Sequence, residues 1–105
     1  MSSVIKDPEF SATVKEILDL IKGISPGKSV ELRVPPYGAI QCVAGSNHRR
    51  GTPPNTVEMS GQTLVRLINE PALWRSLCES GEVRASGLRS DLSNVLSLAA
   101  VKYRA

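Results

Sequence analysis

Residues 29–34 alternate strictly, with Val30, Leu32 and Val34 on one side and Ser29, Glu31 and Arg33 on the other. A two-residue period of this kind predicts a strand with one buried and one wet face. Such a strand cannot stand alone. It commits the chain to a sheet covered on one side only, and apolar stripes elsewhere must supply the cover. Pro35 and Pro36 follow at once, removing two amide donors and ending the ladder there.

The stripes are present. Asp7-Pro8 is a helix start, with Asp as the cap and Pro at the first helical position. Phe10, Val14, Ile17, Leu18 and Ile21 then recur at spacings 4, 3, 1 and 3, one face of a helix. Gly23 is expected to end it, and Ser25-Pro26-Gly27 to turn the chain. Burying five such side chains contributes roughly 7–15 kcal/mol before conformational entropy is set against it.

Residues 39–44 read as a second strand and 55–59 as a third, with Val57 and Met59 facing one way. Ser60 caps a short helix carrying Leu64, Leu67 and Ile68, which Glu70-Pro71 breaks. Leu73, Trp74, Leu77 and Cys78 make a second short stripe ended by Ser80-Gly81. Residues 82–86 read as a fourth strand with Val83 and Ala85 on one face, closed by Gly87. Ser90 or Asp91 caps a last helix bearing Leu92, Val95, Leu96, Ala99 and Tyr103. Helices segregated from strands predict an α+β fold, and the short early connections predict antiparallel pairing.

At 105 residues the chain allows one domain, 1–105, with an N-terminal helix and turn over 1–27. Thirteen basic residues against ten acidic give a net charge of +3, but they are scattered singly, with Arg49-Arg50 the one adjacent pair. With four aromatics in all, the clustered basic and stacking face of a nucleic-acid binder is not expected. No run approaches the roughly 18 apolar residues of a membrane span, so no stable membrane insertion is expected. The first residues lack the apolar segment of a signal peptide, and a cytoplasmic location is expected.

The catalytic inventory is thin. GxSxG, HExxH, GxxxxGK[ST] and GxGxxG are all missing, so no enzyme activity and no cofactor are expected. Two cysteines without CxxC spacing and one histidine do not make a zinc site, and no metal is expected. The one conceivable nucleophile–base pair is Cys42 with His48, six residues on; the plainer reading is a packed, reduced thiol beside a loop histidine.

Two groups of residues remain. In the segment 48–55, His48, Arg49, Arg50 and Thr52 have the chemistry of a clamp for an anionic head group. The same segment also reads as a rigid hairpin connection, with Gly51 turning and Pro53-Pro54 stiffening. The apolar residues Leu64, Leu67, Ile68, Leu73, Trp74, Leu77, Leu92, Val95, Leu96 and Ala99 either line a pocket for an apolar ligand or simply fill the core.

Three words of sequence resemble the bacterial sterol carrier protein-like domain. They are VELRVPPYGAIQC at 30–42, HRRGTPPNTVE at 48–58 and GEVRASGLRSDLSNVLSL at 81–98. The second is similar to that family's H-x-R-G-T-P-P-N-x-V-E, and the third to its G-x-V-x-A-S-G-x-R-A-D-L-S-x-x-L-x-L, with Ser90 in place of the usual Ala. The match covers a core over 28–98, leaving 99–105 as the end of the last helix.

The resemblance implies a twisted, mostly antiparallel sheet of about five strands, covered on one face by helices. It also implies an apolar tunnel between the layers, closed in animal members by the C-terminal helix. Those members carry sterols, fatty acids and acyl-CoA without chemistry on them. Their peroxisomal Ser-Lys-Leu ending has no counterpart in Lys102-Tyr103-Arg104-Ala105, so that location does not carry over.

A tunnel of this size has an energetic consequence. A lipid pocket of about 300 Å³, left empty at about 24 cal/mol per Å³, costs near 7 kcal/mol. That is about half or more of a domain's usual stability of roughly 5–15 kcal/mol. The pocket is therefore collapsed without ligand, always filled, or covered by a second chain. Two functions follow: a non-enzymatic domain binding an apolar or amphipathic ligand (lipid, fatty acid or sterol-like), or an interaction or structural module, a possible homodimer, with its pocket filled in.

Overall fold

The computed structural model describes residues 7–45 and 55–104. Helix α1 spans Pro8–Ile24, and the Asp7 carboxylate accepts from the Glu9 and Phe10 amides at 2.9 and 3.3 Å. Val14, Ile17, Leu18 and Ile21 are buried, while Phe10 is half-buried and meets the Tyr37 ring edge-on at 5.6 Å. The helix runs past Gly23, which was expected to end it. The Ser25 amide still closes onto Ile21 at 2.9 Å, and the stop comes from Pro26, which disfavours helical geometry in the residue before it.

Four strands form one sheet: β1 (Val30–Val34), β2 (Gly38–Cys42), β3 (Asn55–Met59) and β4 (Val83–Ser86), in the order β2-β1-β3-β4. The resemblance implied about five; four are seen among the described residues. β1 and β2 form an antiparallel hairpin with Leu32 opposite Ile40. β3 and β4 are antiparallel with Val57 opposite Ala85. β1 and β3 are parallel, with Leu32 opposite Val57.

The parallel pair corrects one expectation. Read as a hairpin connection, residues 45–54 would make β2 and β3 neighbours, and they are not. Both edges of β1 are occupied, β2 on one and β3 on the other, so the chain returns to run β3 in the direction of β1. Parallel strands need a crossover rather than a tight turn. β2 also ends at Cys42, short of the expected residue 44. Val43 takes φ 67°, which breaks the extended chain, and its amide and carbonyl pair with Ser25 and Ser29 instead.

Helix α2 (Gly61–Asn69) is capped as expected by Ser60, whose hydroxyl accepts from the Thr63 amide at 3.1 Å. A 3-10 turn over Pro71–Leu73 leads into α3 (Trp74–Ser80), which ends on left-handed Gly81. The last helix, α4 (Ser93–Arg104), starts later than expected: Leu92 precedes it, and the Asp91 carboxylate accepts from the Ser93 amide at 2.9 Å.

The result is two layers. Val30, Leu32, Val34, Val57, Met59 and Val83 are the buried face of the sheet, and all four helices lie against the core it starts. The other face carries Glu31, Arg33, Glu58 and Arg84, joined in ion pairs Arg33–Glu31 (3.0 Å) and Arg84–Glu58 (3.5 Å). Ala85 was expected to share the cover over Val83. It is exposed, because β4 is the sheet edge and the cover ends at Val83.

Candidate functional site

The ten apolar residues singled out from the sequence come together in the layer between sheet and helices. Leu64, Leu67, Ile68, Leu92, Leu96 and Ala99 have no exposed surface, Trp74 and Leu77 are buried, and Leu73 and Val95 are half-buried against them. They meet Leu32 and Val57 of the sheet in one continuous core. The layer is closed and packed.

The surface depressions lie elsewhere. One of about 560 Å³ runs between residues 71–79 and the start of α4, and it shares only Trp74 with the expected lining. Another of about 530 Å³ lies on the open sheet face and round the β4 edge, lined by Arg33, Thr56, Glu58 and Arg84. The expected head-group residues His48, Arg49, Arg50 and Thr52 lie outside the described residues.

The end of the sheet from which that segment leaves and to which it returns is well defined. The strand directions bring four chain points together there: Ser29 before β1, Gly45 after β2, Asn55 at the start of β3, and residues 87–89 after β4. Asn55 joins them. Its side chain is buried, its Nδ2 donates to the Ser29 carbonyl at 2.8 Å, and its Oδ1 accepts from the Arg89 amide at 2.9 Å. Two glycines make the approach possible. A Cβ on Gly87, at φ 109°, would lie 2.2 Å from Asn55 Oδ1, and one on Gly45 would lie 2.7 Å from the Ser29 hydroxyl and 3.4 Å from Arg89 Cδ.

The sequence reading gave Asn55 and Arg89 no part in such a contact, and Gly87 only that of closing the fourth strand. The signal was there: in Asn-Thr-Val-Glu-Met, positions 55, 57 and 59 share the inward face, and Asn55 is the one polar residue among them. A polar side chain at a buried strand position needs partners, and here they come from two distant segments.

Cys42 is fully buried in β2, and burial pushes its thiol up to about 11. It stays protonated at neutral pH. Cys78 is also a free thiol, pushed up by partial burial and then by the Asp91 and Glu79 carboxylates. Among the described residues no group of three or more His, Cys, Asp or Glu is placed to hold a metal ion, and no helix is long and apolar enough to cross a membrane.

A partly parallel four-stranded sheet roofed on one face by helices, with a G-x-V edge strand feeding the last of them, defines an α+β domain of sterol carrier type. The chain is similar to a solved UbiJ-SCP2 ubiquinone synthesis protein, at 19% identity and a TM-score of 0.54 over 94% of this chain and 95% of that one, a likeness of fold. Residues 7–98 match the family model of the bacterial SCP ortholog, and the chain belongs to that family. No curated protein matches it.

Proposed function

We propose that this domain is a non-enzymatic carrier. It takes an apolar or amphipathic molecule, such as a lipid, fatty acid or sterol-like compound, between its sheet and its helices, and α4 moves aside to admit it. The family supports lipid carriage as the class of activity. The observation that carries the entry route is the division of α4. Leu92 and Leu96 anchor its beginning, but beyond them only Ala99 and Ala100 are buried, while Leu98 and Val101 are exposed. At about 0.8 kcal/mol per buried methyl-sized group, the two alanines supply roughly 2 kcal/mol, to which the partly covered ring of Tyr103 adds. A helix end with so little fully buried apolar surface opens before the rest of the domain.

Opening there uncovers Leu64, Leu67 and Ile68 of α2 beside Leu96, which become the lining together with Leu73, Trp74, Leu77, Val95 and Ala99. The closed core avoids the penalty of an empty tunnel. On this reading His48, Arg49, Arg50 and Thr52 hold the polar head, and the two free thiols suit a reducing, cytoplasmic location.

The test is a thermal-shift panel of long-chain amphiphiles below their micelle concentrations: dodecanoate, dodecylphosphocholine and dodecyltrimethylammonium. A ligand at 100 times its Kd adds about 2.7 kcal/mol. For a domain of this size that is a rise in Tm of roughly 10–20 °C. No shift with any of them would overturn the reading.

A second reading has its own observation. The solid core and the exposed Leu98 and Val101 suit an interaction module whose pocket has filled and whose α4 meets a partner. A two-fold dimer in solution, with no lipid carried through purification, would favour it.

A further inference from the structure

Arg89 is placed with unusual care for an exposed residue. Its amide is fixed by Asn55 at 2.9 Å, while its side chain passes Gly45 closely enough that a Cβ there would sit 3.4 Å from Arg89 Cδ. Arg89 follows β4, one edge of the sheet, and Gly45 follows β2, the other edge. The aliphatic stem therefore lies across the sheet end, over the starts of β1 and β3, against the face that the missing side chain of Gly45 leaves clear. Arg89 makes no ion pair with any described residue. The carboxylate nearest in sequence, Asp91, is taken up by the Ser93 amide. Beside it Leu88 is fully exposed, an apolar side chain next to an uncommitted guanidinium.

We propose that Arg89 is an anion-binding residue, receiving the carboxylate or phosphate of an amphipathic ligand at this end of the sheet while Leu88 meets the first methylenes of its chain. This rests on the carrier reading above and adds a residue to it. A guanidinium suits the role because its planar donor fork engages two oxygens of one anion, and a stem already ordered by the fold loses less freedom on binding.

The test compares Arg89→Gln and Arg89→Lys with the unaltered protein, titrating dodecanoate and dodecyltrimethylammonium by calorimetry. The two probes have the same chain and opposite heads. Both variants keep the backbone amide that Asn55 holds, and an unchanged urea midpoint verifies that the fold is intact. For Arg89→Gln, dodecanoate affinity falls roughly five- to tenfold while dodecyltrimethylammonium stays within about twofold. Arg89→Lys lies between, because it keeps the charge and loses the fork. Unchanged dodecanoate affinity, or equal losses for both probes, overturns the assignment of Arg89 and leaves the carrier reading standing. If neither probe binds the unaltered protein, the assignment of Arg89 falls, and if dodecylphosphocholine does not bind either, the carrier reading falls with it.

Discussion

The side-chain oxygen of Asn55 accepts the backbone amide of Arg89 at 2.9 Å across 34 residues of sequence, and the same side chain donates to the Ser29 carbonyl at 2.8 Å. One buried amide thus fixes the turn between β4 and α4 to the start of the parallel pair. Asn55→Ala leaves a buried carbonyl and an amide without partners, and the expected loss is about 2–4 kcal/mol in urea unfolding.

The two left-handed glycines on either side of β4 separate backbone strain from crowding. A Cβ at Gly81, at φ 87°, meets nothing within 4 Å, whereas one at Gly87 meets Asn55 Oδ1 at 2.2 Å. Gly81→Ala is expected to cost roughly 1–2 kcal/mol from the left-handed geometry alone. Gly87→Ala is expected to cost at least about 3 kcal/mol, because it also breaks the Asn55 hydrogen bond. Equal losses in parallel urea titrations would show that the Asn55 contact contributes little.

Cys42 gives a pH dependence of definite sign. Its thiol rises from 9.0 in the ordinary case to about 11 in the fold. The unfolded chain therefore releases its proton first. The contribution is complete below pH 9 and is lost as pH rises from 9 through 11, up to about 2–3 kcal/mol. Cys42→Ala should flatten the stability curve over that interval, measured by chemical unfolding at stepped pH. In the native protein a thiol reagent should reach Cys78, which is half-buried, well before Cys42.

The local elements could be read from the sequence because local chemistry decides them. Asp7-Pro8, Ser60 and Gly81 start and stop helices through hydrogen bonds and backbone geometry within a few residues. The alternation at 30–34 and 55–59 gave strands that hold to within a residue. What local chemistry cannot decide is which strand lies beside which. The parallel β1–β3 pair is set by the crossover after β2 and by Asn55 reaching both Ser29 and Arg89, and neither leaves a period in the sequence. The ten apolar residues picked out between Leu64 and Ala99 by helical spacing lie in one layer. Spacing says nothing of whether that layer is hollow, and in the closed domain it is packed.

The guanidinium of Arg104, at the end of α4, donates to the Asn69 carbonyl at the end of α2. The contact is exposed and adds to the small burial of Ala99 and Ala100. Arg104→Ala is expected to leave global stability within about 0.5 kcal/mol. It should speed amide hydrogen exchange over residues 97–104 selectively. Unchanged exchange there would mean that the helix end is held by something else.

Leu98 and Val101 are exposed on α4, so replacing both with Ser should leave stability within about 0.5 kcal/mol. Light scattering distinguishes the two readings of this face. A carrier keeps its mass unchanged in the double variant, whereas a module that pairs through α4 dissociates.

The most direct measurement is a set of intermolecular nuclear Overhauser effects between a dodecanoate chain and methyl-labelled protein. The account predicts contacts from the chain to the methyls of Leu64, Leu67 and Leu96, all of which are sealed in the free domain. Contacts confined to exposed methyls such as Leu98 and Val101, with the buried leucines unmoved, would contradict it.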